Sequence, residues 1–251
     1  MSGYRCYQLT RSRTLARLAR LEPSAISTTL YLAADLAPAA RRAFLLPALP
    51  AEDAPGIETI SLSSSTGAAV FLTEGGRPGL LVQPPFPLGE TYAVPGMDTE
   101  PLRTMLETPR LIGLVLVRLG NYAIGICRGE EIISSKTGTG LVHSRHRKGG
   151  QSQRRFERRR QEQAHQFLAR VATHVQRLLG PVAAELDHVV LGGSRQAIRQ
   201  LRQLCPLLQR FDDRLLPPRL DIPPPRHATL QNVITDVWSS TIYQWTEGEA
   251  V

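Results

Sequence analysis

Two adjacent glycines followed by a glutamine, Gly149-Gly150-Gln151, stand in the middle of the most basic stretch of this 251-residue chain. Glycine admits backbone conformations with positive φ and lets the main chain approach another polymer closely, where any side chain would obstruct. The glutamine brings an amide donor, an amide acceptor and a backbone N–H, enough to place a water and steady a developing oxyanion without a pKa of its own. Arg145, His146, Arg147 and Lys148 precede the tripeptide, and Arg154, Arg155, Arg158, Arg159 and Arg160 follow it. Guanidinium and ammonium groups in that number read as RNA-binding: they fix a protein on phosphates, with an affinity that falls steeply as salt rises. On this reading the arginines position the segment and Gln151 acts.

The charge distribution singles out the same place. The formal net charge is +8, and residues 141–160 carry +7 of it, with eight Arg or Lys against Glu157 alone. Residues 1–140 hold 13 basic and 12 acidic side chains, and residues 161–251 hold nine of each. A short segment therefore makes the protein basic, and such a charge points to polyanions or acidic membrane surfaces. With 42% apolar residues the chain can bury a proper core. Cys6, Cys127 and Cys205 are odd in number and far apart, which fits a reducing compartment and argues against a disulfide framework or a zinc cluster. His143 and His146 stand three apart, but no carboxylate or cysteine lies at ligand spacing beside them, so no metal and no cofactor is expected. Gly192-Gly193-Ser194 follows an apolar run as a phosphate-binding turn would, yet the full dinucleotide pattern is missing and no ligand is assigned. No run of eighteen apolar residues exists, so no membrane partner is expected. Residues 1–21 carry five arginines and no acid, superficially like an organelle transit peptide, and are read as an amphipathic first helix on the domain.

The elements that must position the basic segment can be read from periodicity and turn residues. Three apolar runs, 111–119, 122–127 and 131–135, are divided by Gly120-Asn121 and Arg128-Gly129 and predict a three-stranded meander. A helix is expected from Ser152 to Leu179, charged all round in its first turns and apolar on one face from Ala164 onward, so its beginning should project. A strand at 188–191, a helix from Ser194 to about Leu204, a possible strand near 219–222 and a closing helix at 230–245 follow. Upstream, 26–34 reads as a buried strand, 38–45 as a short helix, 57–63 and 68–73 as a hairpin, 79–83 as a strand and 98–107 as a helix capped by Asp98. The Pro- and Gly-rich residues 84–97 read as a connection. The fold class is α/β, with a mixed sheet flanked by helices preceded by a smaller N-terminal α/β unit. The expected domains are residues 1–105 and 106–251.

The run Gly149-Gly150-Gln151-Ser152, followed by Arg155-Phe156, Arg158, Arg160, Glu162 and His165, resembles the middle domain of the eukaryotic and archaeal class-one peptide-chain release factor. The flanking elements agree over residues 110–245. The Tyr122-Ala-Ile-Gly stretch, Lys136, the run from Gln153 to Arg160, and Pro84-Pro85-Phe86-Pro87 are most similar to the Vms-like branch. That resemblance implies RNase H-like layers and a cytoplasmic monomer with the large ribosomal subunit, its rRNA and peptidyl-tRNA as partners. It also implies a peptidyl-tRNA hydrolase in which Gly149, Gly150 and Gln151 are catalytic.

The sequence contains no Asn-Ile-Lys-Ser, the signature with which the stop-codon factor reads messenger RNA, and that factor's carboxy-terminal partner-binding domain is not expected. Codon-independent rescue of stalled chains is the corresponding expectation. Some Vms-like members cut the tRNA near its acceptor end, and the sequence leaves open whether the ester or the tRNA is attacked. A non-catalytic ribosome- or RNA-binding module is the third possibility.

Overall fold

In a computed structural model the described residues are 3–140 and 151–245, apart from the side chains at 151–154 and 156. They form a mixed α/β structure of two compact units, residues 1–108 with 235–251, and residues 109–234.

The first unit holds an antiparallel sheet of β1 (Tyr4–Leu9), β2 (Thr28–Leu32), β3 (Ala68–Leu72), β4 (Pro78–Gln83), β5 (Tyr92–Pro95) and β10 (Ser240–Trp245), in the order β1-β10-β4-β3-β2-β5. The core on one face joins Leu30, Leu32, Val70, Leu72 and Leu81 of the sheet to Leu45, Ile57 and Ile60 of the helices α2 (Pro38–Leu45) and α3 (Ala54–Leu62). Two further helices complete the unit, α1 (Arg11–Ala19) and α4 (Glu100–Glu107). The buried Arg41 guanidinium donates to the carbonyls of Ser61 at 2.7 Å and of Ala33 and Leu36 at 3.3 Å, which ties the α2 entrance to the end of α3.

Several elements differ from the sequence reading. Residues 57–63 are helical, because Pro55 starts a helix in its first turn and the hydroxyls of Thr59, Ser61 and Ser63 bond back to carbonyls three or four residues earlier. The strand β3 therefore pairs with β2 and β4. The first residues form β1 before the helix α1. The closing segment splits into α7 (His227–Val237) and β10, whose β-branched and aromatic run Ser-Thr-Ile-Tyr-Gln-Trp fills the slot between β1 and β4. This places residues 235–245 in the first unit, whereas the expected division gave them to the second. Trp238 lies in the buried turn between, edge-on to Phe86 at 4.7 Å and under the Arg11 guanidinium at 4.4 Å.

The second unit carries the site. Its sheet runs β8-β7-β6-β9, from β6 (Leu111–Arg118), β7 (Asn121–Arg128), β8 (Glu131–Thr139) and β9 (His188–Gly193). The meander β6-β7-β8 is antiparallel, and β9 lies parallel to β6. The crossover is α5 (Gln151–Leu179), followed after β9 by α6 (Arg195–Leu204). Residues 219–222 form no strand, only a bridge from Arg219 to Gly192. Alternate residues Val115, Val117, Tyr122, Ile124, Ile126, Val189 and Leu191 meet Phe167, Leu168, Val171, Val175 and Leu179 of α5 and Ala197 and Leu201 of α6. That pairing of period two with period 3.6 fixes which face of α5 lies down on the sheet.

Candidate functional site

The described backbone leads into the basic segment from β8 and resumes at Gln151, the first residue of α5. Arg145, His146, Arg147, Lys148, Gly149 and Gly150 lie outside the described residues, as does the His143 of the histidine pair. The side chains of Gln151 and Arg154 do too. Of the remaining arginines, Arg155, Arg158 and Arg159 are exposed and Arg160 is half-buried. Among the described side chains, Arg155 and residues 157–159 are exposed, and the helix is core-facing from Ala164 onward.

The exit strand is held against α5 by two glycines on one strand face. Gly138 pairs with Tyr122, and a Cβ there would lie 2.6 Å from the tyrosine ring and hydroxyl. At Gly140 a Cβ would lie 2.5 Å from Phe167 Cδ2 and 2.8 Å from Arg170 Nη2. Only bare backbone fits at these places, and the Gly140 N–H donates to the Gly120 carbonyl at 3.0 Å. Tyr122 in turn stacks on His174 at 5.5 Å and tilts against Phe167 at 6.1 Å. The alternation Thr137-Gly138-Thr139-Gly140 was the sequence signal for this seam, since glycine at i and i+2 of a strand empties one face.

Beside the seam is a group of basic side chains of which the sequence reading picked out Lys136 alone, as part of the family resemblance. Lys136 is opposite Ile124, on the α5 side of the sheet, and it approaches His174 together with Arg170 and Arg177. Burial and these three cations lower the pKa of the imidazole, with no carboxylate opposing them. Among the described residues, ion pairs join Arg42 to Glu58, Arg103 to Glu107, Arg202 to Asp212 and Arg214 to Asp213, and none reaches Lys136, Arg170 or Arg177.

The other places the sequence drew attention to are structural. Gly193 has φ +106° and a Cβ there would meet the Val117 carbonyl at 2.1 Å, while at Gly192 it would meet the Arg219 carbonyl at 2.9 Å. These glycines let three backbones pack, and Ser194 caps α6 by accepting from the Ala197 N–H at 3.4 Å. Burial pushes the Cys127 thiol up to about 12, so it holds no thiolate near neutrality. Among the described residues no cluster of His, Cys, Asp or Glu could hold a metal ion, and no helix is long and apolar enough to cross a membrane.

Next in sequence to the basic Gly-Gly-Gln segment, the crossover helix thus presents Arg155, Arg158 and Arg159 as an exposed positive surface. Residues 110–243 match the model of the Actinobacteria/chloroflexi VLRF1 release factor, and this chain belongs to that release-factor family. Peptide chain release factor subunit 1 of Thermococcus sibiricus is 38% identical over 97 residues, 38% of this chain and 23% of that protein. The corresponding protein of Aeropyrum pernix is 30% identical over 126 residues, 49% of this chain and 34% of that one. The chain thus spans about a quarter to a third of the length of these relatives. Among solved structures, the archaeal translation termination factor aRF1 aligns with a TM-score of 0.40 and 18% identity, over 91% of this chain and 71% of that one. Archaeoglobus fulgidus Pelota aligns with a TM-score of 0.29 and 9% identity, over 94% and 65%. Likeness at those values is weak, and membership rests on the sequence match.

Proposed function

We propose that this protein frees nascent peptides from peptidyl-tRNA on stalled ribosomes without reading a codon. The observation that carries the reading is the union, in residues 141–160, of Gly149-Gly150-Gln151 with +7 of the chain's net charge, in a member of a release-factor family. Arg145, His146, Arg147, Lys148, Arg154, Arg155, Arg158, Arg159 and Arg160 hold ribosomal RNA, Gly149 and Gly150 let the backbone come close, and Gln151 places the attacking water. A neutral amide suits this work, because its donors and acceptor keep their character at any working pH. The partners are then the large subunit, its rRNA and peptidyl-tRNA, the protein acts as a monomer, and the compartment is the cytoplasm. Residues 1–108 stand where a codon-reading domain would be expected and lack Asn-Ile-Lys-Ser, which favours rescue over termination.

The test is Gln151→Ala in purified protein, with stalled ribosome complexes carrying labelled peptidyl-tRNA. Release should fall by at least 10²-fold, the scale for losing one oxyanion-stabilising donor, with ribosome binding retained. Wild-type release by this variant would end the role given to Gln151. Mass analysis of the two products distinguishes ester hydrolysis, which leaves the tRNA whole, from cleavage at the acceptor end, which leaves nucleotides on the peptide. Binding without turnover by the wild type would leave only an RNA-binding module.

A further inference from the structure

The cations of α5 do not stop where its core begins. Arg159, Gln163, Gln166, Arg170, His174 and Arg177 follow one another at spacings of four, three, four, four and three residues, which places them along one helix face. From Arg159 to Arg177 the stripe rises by about 27 Å at the helical rise per residue. Of the acids of α5, Glu157 lies on another face, and Glu162, three residues after Arg159 and four before Gln166, borders the stripe at its start, away from Arg170 and Arg177. Gln163, Gln166, Phe167 and Arg170 line a recess of about 470 Å³ partway along, and Lys136 of the edge strand β8 borders the far end beside His174. Arg170, Arg177 and Lys136 are exposed and in no ion pair among the described residues. A folded surface without a functional anion normally mixes signs at such spacing, since i,i+4 pairs of opposite charge stabilise a helix and like charges oppose it.

We propose that this stripe, with Lys136 at its far end, is a second grip that tracks a phosphate backbone of ribosomal RNA for about 27 Å behind the Gly-Gly-Gln segment. The occupant is ribosomal RNA because exposed cations without ion pairs call for a polyanion and, on the reading above, the protein works on the large ribosomal subunit. The inference rests on that reading for its partner but not for its chemistry. The alternation of guanidinium with glutamine amide and imidazole suits a backbone, which offers phosphate charge and sugar hydroxyls in turn. The arginines at 154–160 set how the segment enters, and the stripe beyond Arg159 sets its angle.

The experiment uses the full chain and purified large ribosomal subunits, with binding measured by sedimentation across a salt series. Neutralising Lys136, Arg170 and Arg177 together to Gln should weaken binding at least tenfold and lower the slope of log affinity against log salt by about two, since each phosphate contact contributes about 0.7 to 0.9. A control with the same charge change at exposed Arg128, Arg195 and Arg199 should keep the wild-type slope. Equal losses in both variants would mean diffuse attraction, and an unchanged slope in the first would mean that no phosphate sits there. Either result overturns the second grip. Loss of binding to free deacylated tRNA, with the subunit slope intact, overturns the choice of ribosomal RNA. Release by Gln151→Ala bears on the tip alone, so the two readings fail separately, and thermal melting confirms that the exposed substitutions leave the fold intact.

Discussion

Replacing Gly140 by Ala tests whether the seam under the basic segment matters. The added Cβ would lie 2.5 Å from Phe167 Cδ2, about 1 Å inside an ordinary carbon contact. Arg170 can swing its guanidinium away, but Phe167 is 1% exposed and wedged against Tyr122 in the core. The strand end must therefore lift off α5 by about the missing 1 Å. Overpacking of this kind costs about 1–3 kcal/mol. For a chain of this size 1 kcal/mol moves the melting temperature by about 2–4 °C, so a middle value predicts a fall of roughly 4–8 °C. The catalytic effect should be larger, because 1 Å of misplacement can cost about 10²-fold in a reaction that depends on orientation. The assay is single-turnover peptide release at saturating protein, beside calorimetric melting. Gly89→Ala is the control, since a Cβ there meets nothing within 4 Å. Adding Phe167→Leu should restore part of the stability lost at Gly140, with a coupling of about 1 kcal/mol. If Gly140→Ala melts and releases as the wild type does, the seam does not position the segment and the reasoning is wrong.

Two further outcomes follow from other parts of the second unit. Gly193→Ala should cost about 3 kcal/mol or more, because it imposes φ +106° on a side-chain residue and drives its Cβ onto the Val117 carbonyl; an unchanged urea midpoint would refute this. His188 should make the protein acid-sensitive. Burial, aided by Arg110 and opposed by Asp187, pushes its imidazole down to about 4, against about 6.5 when unfolded. The unfolded chain thus takes up the proton first, and stability is lost as pH falls from about 6.5 toward 4. The full shift would be about 3 kcal/mol, and partial exposure reduces it to about 1–2 kcal/mol. Melting temperatures at pH 7 and pH 4.5 should therefore differ less in His188→Gln than in the wild type, and an equal difference would remove His188 as the cause.

The second unit was the more legible half of the chain because its turns announce themselves. Gly120-Asn121 and Arg128-Gly129 break three apolar runs, and the apolar residues of α5 keep the helical period without interruption from Ala164. The first unit misled where composition and structure disagree. Residues 57–63 are β-branched and hydroxyl-rich, yet the position of Pro55 and the hydroxyl back-bonds make them helix. The strand β5 is four residues at a sheet edge, where Pro95 costs no ladder bond, so a Pro-rich stretch hid it. The basic residues near Gln151 were plain from charge alone. Arg170, His174 and Arg177 were not, because they stand three or four residues apart within the apolar half of α5, and only the register of β8 brings Lys136 to them.

A catalyst without a titratable group has few ways to gain rate. Gln151 cannot act by a tuned pKa, so on the proposed reading its whole contribution is placement, and placement is as accurate as the supports on either side of residues 141–150. One support is the end of β8, pinned where Gly138 and Gly140 admit Tyr122 and Phe167. The other is α5, which continues without a break from the exposed Arg155, Arg158 and Arg159 into the core at Ala164. Binding energy gathered by arginines along α5 reaches the tip only through that stiff connection. Weakening the phosphate contacts should therefore raise the concentration needed for half-maximal release, whereas loosening the seam should lower the rate at saturation. Measuring both quantities for the stripe variants and for Gly140→Ala tests this division, and a matching pattern in the two sets would show that gripping and aiming are not separate tasks in this protein.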